Sequence, residues 1–199
     1  MSTRTLLAIP LLVTGAIWTP LASMAAPAAT AASPKALSLT LKDVQHVYGS
    51  TFQPFFSNVY KTSKYHICGA DYTGSYAAMF GNFKKAGKAG GVVSVLNSIV
   101  AYPSSKSTTC AVANWATFLT TRMQKSGATV HTSNLSGVGD TASLSTIDYP
   151  KKRTYTVTIW LARGTHSAML TVSALGSPVA RAGAVALAKI LDGRFEAAG

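Results

Sequence analysis

Twelve side chains could do acid–base, metal or thiol chemistry in this sequence. They are Asp43, Asp71, Asp140, Asp148, Asp192 and Glu196, the histidines His46, His66, His131 and His166, and the cysteines Cys68 and Cys110. General acid–base catalysis needs two such groups within hydrogen-bond reach of one substrate. No two of the acids are grouped in sequence, and most fall where turns or helix ends are expected. There a carboxylate is accounted for by the backbone amides it can accept from. No two histidines stand at i, i+2 or i, i+4, so no local metal motif forms. A His66–Cys68 pair is the one conceivable local nucleophile, and no G-x-S-x-G elbow exists. A hydrolase would need a site assembled from scattered residues. No catalytic group, metal or cofactor is expected.

Residues 135–144, L-S-G-V-G-D-T-A-S-L, resemble a phosphate loop on a first reading. Such a loop needs a strand before its glycines and a helix after them, so that helix N–H groups face the anion. Here the helical pattern comes before, and a short hydroxyl-rich strand pattern follows. The stretch reads as a structural turn. Gly137 and Gly139 allow backbone angles barred to other residues, and Asp140 accepts turn amides.

The elements that must position these groups follow from periodicity. Residues 39–48 read as a helix capped by Thr40, with Asp43 in its first turn and Gly49 ending it. Phe52, Phe55, Phe56, Tyr60 and Tyr65 form the densest aromatic stretch. Their spacing allows one or two helical turns, as a flap over the core or as the lining of an apolar pocket. Alternation over 71–80 and a β-branched run over 91–102 make a hairpin, the second strand with large apolar groups on both faces. Residues 105–126 make a long helix with a wide apolar stripe, ended by Gly127. Strands follow over 141–147, 155–161 and 166–174. Ser177-Pro178 opens a last helix over 179–195, whose core face would be Val179, Ala182, Ala186, Leu187, Ile190 and Leu191. Gly183 on that face would let the sheet approach closely. The fold class is α+β: an antiparallel sheet of about five strands with helices packed on it, in the order α-β-β-α-β-β-β-α.

The N-terminus has another character. Arg4 precedes an apolar run over 6–18 and then small residues, the layout of a secretory signal peptide over 1–25, with a second small-residue site that allows cleavage as late as 31. That run is shorter than the roughly 20 residues that span a bilayer. The Ala/Pro-rich stretch 26–36 reads as a disordered lead-in. Residues 37–199 then form one globular domain. The chain is expected outside the cytoplasm, in a periplasm or at the cell exterior, with no membrane span after cleavage.

In an exported chain an even pair of cysteines suggests a disulfide. Cys68 lies just before the first strand of the hairpin and Cys110 early in the helix that follows the second. Antiparallel strands bring those two places to the same end of the sheet, so the pair should bond.

Net charge is +12. A secreted domain this basic is drawn to anionic surfaces. Lys84, Lys85 and Lys88 form one group, and Lys151, Lys152 and Arg153 another. Both look like hairpin tips, where lysine also serves solubility and discourages edge pairing. A strict up-and-down reading puts these tips at opposite ends of the sheet.

The element order, with Val138-Gly139-Asp140-Thr141-Ala142 as its turn, resembles the PsbP-like α/β/α sandwich of exported bacterial proteins. That family includes small lipoproteins and the extracellular sensor domains of some receptor kinases. The resemblance covers most of the mature chain and implies extracytoplasmic binding or scaffolding without catalysis. This chain lacks the lipid-anchoring cysteine. The expected function is therefore a secreted, monomeric, non-catalytic binding or sensor-like module for a protein or small-molecule ligand, held on the concave sheet or the aromatic 52–65 segment. The alternatives are a basic protein holding anionic cell-surface polymer or nucleic acid, and the hydrolase with a dispersed site.

Overall fold

The computed structural model describes residues 32–60, 68, 69, 71–82 and 91–199. The expected leader lies outside the described residues. Order begins earlier than the lead-in reading allowed. Ser33 caps a short helix, α1 (Pro34–Leu37), by accepting from the amide of Ala36. Leu37 and Leu39 are then buried. Their burial holds down a segment whose composition alone suggests disorder.

Helix α2 (Leu41–Tyr48) is closed by a capping box. Thr40 accepts from the Asp43 amide, and Asp43 accepts from the Thr40 amide at 2.6 Å. Strands β1 (Gln53–Tyr60), β2 (Gly74–Gly81) and β3 (Val92–Ala101) make an antiparallel meander. Pro103 follows, and Ser104 caps α3 (Ser105–Lys125) by accepting from the Ser107 amide. A second meander runs through β4 (Thr129–Asn134), β5 (Thr141–Tyr149), β6 (Thr154–Arg163) and β7 (His166–Leu175), and α4 (Arg181–Ala197) ends the fold.

The result is α+β, with one sheet in the order β1-β2-β3-β7-β6-β5-β4 and every neighbouring pair antiparallel. Among the described residues this makes seven strands, two more than expected. The additional ones are the edges, β1 and β4. An edge strand need bury neither face, so it shows no clean alternation. On β4 most side chains are exposed. On β1 the register shifts between Pro54 and Phe56, and this bulge makes successive aromatics mimic helical spacing.

The helices lie on both faces. On one, Ala184, Leu187, Ala188, Leu191 and Phe195 of α4, with Val44 of α2, join Ile99, Val157, Ile159, Leu161, Leu170 and Val172 in the main core. On the other, Val112 of α3 packs with Trp160 and Ala162, supported by Trp115, Ala116, Leu119 and Met169. Residues 157, 159 and 161 thus face one layer while 160 and 162 face the other.

Helix α4 differs from its expected start and face. It begins at Arg181, with Ala180 as an N-cap that offers no side-chain bond, so Ser177-Pro178 stays in the connection. Ala182 and Ala186 are exposed. The buried stripe at 184, 187, 188, 191 and 195 also carries Asp192. A reading that places only apolar residues inside therefore chooses a neighbouring stripe. At Gly183 it is the Tyr48 ring of α2 that approaches, not the sheet: a Cβ there would lie 2.7 Å from it.

Candidate functional site

The turn that looked like a phosphate loop is a lock. Gly137 and Gly139 have φ of 73° and 64°. A Cβ on Gly139 would fall 2.6 Å from the carbonyl oxygen of Ala162. The Asp140 amide donates to that same carbonyl at 2.7 Å, and the Asp140 carboxylate accepts from the Gly164 amide at 2.8 Å. One step away, Arg163 holds Asp192 with two bonds, Nε to Oδ1 at 2.5 Å and Nη2 to Oδ2 at 2.9 Å. That bidentate contact, helped by the Gly139 amide, holds the Asp192 carboxyl below its ordinary range although burial opposes it. Turn, β6–β7 hairpin and α4 are thus tied together by acids that are already occupied.

The remaining chemistry-bearing groups do not converge. Asp43 is used by the capping box and by Arg194, whose Nη2 donates at 2.7 Å. Burial pushes its carboxyl up, but the bonds from Thr40 and Arg194 together bring it below the ordinary value. His46 and His131 are exposed. His166 is buried against Phe195, with ring centroids 5.6 Å apart, and burial lowers its pKa. His66 lies outside the described residues. Among the described residues no three His, Cys, Asp or Glu side chains are placed to hold a metal.

Cys68 and Cys110 are joined, with Cα atoms 6.0 Å apart. The bond fastens the segment between β1 and β2 to the first turns of α3. Asn114, one turn further along, donates to both sulfurs.

The aromatic stretch divides. Phe52 is 1% exposed and belongs to the main core, where its ring stands 6.0 Å from Tyr48. Phe55 and Phe56, 58% and 39% exposed, pair edge to face at the β1 bulge. Tyr65 and the Tyr60 side chain lie outside the described residues. No single pocket of these five residues is formed by those described, because Phe52 points to the opposite layer.

Among the described residues, the α3 side of the sheet is the one left partly open. Helix α3 crosses from β3 to the far edge and packs on β4, β5, β6 and β7. Beyond it, Met79, Leu96, Ser98, Val100, Met169 and Thr171 are half-buried. The register puts them on one face: Met79 opposite Leu96, Leu96 opposite Thr171, Ser98 opposite Met169. Phe56, opposite Met79, borders this face on the β1 side. Trp115 and the 52% exposed Phe118 stand edge to face on α3. Beneath α3 the sheet carries a band of hydroxyls, with Thr132 bonded to Ser145, Thr158 to Thr171 and Thr156 to Ser173. This face can hold an amphipathic molecule by apolar contact and hydroxyl bonds.

Sequence reading missed Asn97. It is fully buried on the opposite face, accepts from Ser38 Oγ at 2.6 Å and the Leu39 amide at 3.0 Å, and donates to the Ala78 carbonyl. It fastens the α1–α2 connection to the sheet. The signal was available: a lone amide inside an apolar run.

Lys84, Lys85 and Lys88 lie outside the described residues, while Lys151, Lys152 and Arg153 are exposed on the β5–β6 connection. The strand ends that the up-and-down reading set apart lie together. Val92 pairs with Ala174, and Ala174 with Tyr155, so the starts of β3 and β6 lie at one end. Overlooking β4 inverts the direction of every later strand, which is why the sequence placed them apart.

These features define an α+β domain with a layer of helix on each side of an antiparallel sheet and one sheet face incompletely covered by the described residues. No family model matches the chain, and no curated protein matches it. A solved structure that it resembles is the extracellular domain of PknH from Mycobacterium tuberculosis. The TM-score is 0.51 and the identity 14%, over 81% of this chain and 94% of that one. At this identity the likeness is one of fold.

Proposed function

We propose that this chain is an extracytoplasmic, non-catalytic binding module of the PsbP-like type, exported by a leader over residues 1–25 and working as a monomer. The observation that carries the reading is the half-covered α3-side face of β2, β3 and β7. It joins apolar side chains to hydroxyls, and among the described residues it contains no ionisable group. Asp43 is engaged by Thr40 and Arg194, Asp140 by the Gly164 amide and Asp192 by Arg163, which disfavours the dispersed-site hydrolase. The fold likeness to an extracellular domain and the closed disulfide support the location. Small-molecule sites are concave and mostly apolar, with a few polar groups that fix orientation.

The test uses a neutral amphipathic probe, N-phenyl-1-naphthylamine, followed by its fluorescence on titration into the purified protein. Enhanced emission that is lost in Leu96→Glu but kept in Lys151→Gln supports the assignment. Absence of enhancement, or enhancement that Leu96→Glu leaves unchanged, rejects this face as the site.

A further inference from the structure

We propose that the end of the sheet where β5 meets β6 is a docking surface for a linear, phosphate-bearing polyanion. This surface is separate from the half-covered face, and either assignment can fail without the other.

Topology gathers the charge. Helix α3 runs the length of the sheet and delivers Arg122 and Lys125 in its last turn. The β5–β6 connection supplies Lys151, Lys152 and Arg153, and α4 starts at Arg181 just after β7 ends. Tyr149 fixes the first two groups to each other. Its hydroxyl lies 3.0 Å from Ser126 Oγ and 2.8 Å from Met123 Sδ, both at the C-terminus of α3. The Lys152 ammonium stands 5.6 Å from the centre of the Tyr149 ring. Arg153 is tied to the end of β7, its carbonyl accepting from the Gly176 amide at 2.8 Å. Six cations thus project from one end, with Asp148 the acid of β5 beside them. Among the described residues none of the six forms an ion pair.

The opposite end has the converse arrangement. Arg163 is paired with Asp192 and lies 4.0 Å from Glu196, and Arg194 is paired with Asp43. Asp140 sits in the same region, at the β6–β7 turn. The acids are used there to neutralise cations, and the cations at the β5–β6 end are left without them.

Two properties choose the ligand chemistry. The cations lie on both sides of the sheet, and helix layers pack about 10 Å from a sheet on each side, so the surface is roughly 20 Å across. A single anion cannot touch all of it, while a polymer can. Three of the six are arginines, whose guanidinium forks match phosphate oxygens two at a time.

Binding to linear inorganic polyphosphate, measured by fluorescence anisotropy across a salt series, tests this. The surface variant is Lys125→Gln, Lys151→Gln, Lys152→Gln and Arg181→Gln together. A control removes four charges elsewhere: Lys35→Gln, Lys42→Gln, Lys106→Gln and Lys189→Gln. All eight positions are exposed, so both variants should keep the wild-type circular dichroism and melting temperature. The expected result is wild-type binding that the surface variant weakens at least about tenfold. The slope of log K against log salt should fall by about 0.7 per lost contact, as for a single strand. The control should lose no more than about threefold. Equal losses in the two variants would mean that binding follows net charge, and the proposal fails. It also fails if wild type does not bind polyphosphate at about 50 mM salt, or binds only anionic phosphatidylglycerol vesicles. Arg153 is left unchanged because its guanidinium also donates to the Gly176 carbonyl at the end of β7.

Discussion

Gly139 carries a strict requirement. Its φ of 64° is in the left-handed region, and a Cβ would collide with the Ala162 carbonyl that already accepts the Asp140 amide. The backbone penalty for a non-glycine residue there is about 1 kcal/mol, and the collision adds to it. Gly139→Ala should therefore lower stability by about 3 kcal/mol in urea unfolding. Gly137→Ala, with a similar φ of 73° and open space around its Cβ, should cost only about 1 kcal/mol. Equal costs would show that the turn is not clamped against β6. The motif Val138-Gly139-Asp140 was legible as a turn from its neighbours. That Arg163, beside this turn, holds Asp192 was not, because Asp192 is more than fifty residues further along the chain than Gly139.

At the scale of elements, helix α4 contains a matched pair of glycines. Gly193 is exposed with nothing within 4 Å of an added Cβ, whereas a Cβ on Gly183 would meet the Tyr48 ring at 2.7 Å. Alanine is better than glycine in a helix by about 1 kcal/mol. Gly193→Ala should raise the melting temperature by several degrees, while Gly183→Ala should give no gain or a loss. Burial also pushes the Tyr48 phenol up to about 12, so this contact stays neutral at any physiological pH. The disulfide joins β1–β2 to α3 across a separation of 42 residues. In the chain-entropy account it contributes about 4 kcal/mol. A Cys68→Ser, Cys110→Ser protein should show that loss in denaturant midpoint. Both cysteines were placed at one end of the sheet by element order alone, which sufficed because only the hairpin and the start of α3 were needed.

For the whole molecule, acid stability should fall in two stages. His166 is buried with its pKa below the ordinary 6.5, so the unfolded chain binds a proton that the folded chain refuses. Stability contributed by the neutral ring is present above pH 6.5 and is lost as pH falls from there toward the lowered folded pKa. Asp43 and Asp192 have depressed values, below the ordinary 3.8. Their contribution is present above that value and is lost as pH falls through the folded pKa. Chemical denaturation between pH 8 and pH 2 should show a shallow decline beginning near neutrality and a steeper one below about pH 4. His166→Gln should remove the first stage and leave the second.

The sequence by itself determined the α+β class, the hairpin, the long α3, the capped α2, the turn at 135–144 and the cysteine pairing. Each rests on local chemistry: side-chain period, a capping box, glycine at a turn, a strand–helix junction. Only the tertiary structure decided the edge strands β1 and β4, the buried stripe of α4, and the end of the sheet at which Lys151, Lys152 and Arg153 emerge. The reason is common to all three. Edge strands take their stability from backbone pairing with a distant neighbour and leave little mark on side-chain pattern. An alanine-rich helix is apolar on several sides, so its rotation is set by a partner such as Arg163 for Asp192. The direction of a strand is a cumulative property of all strands before it, and one missing edge reverses it.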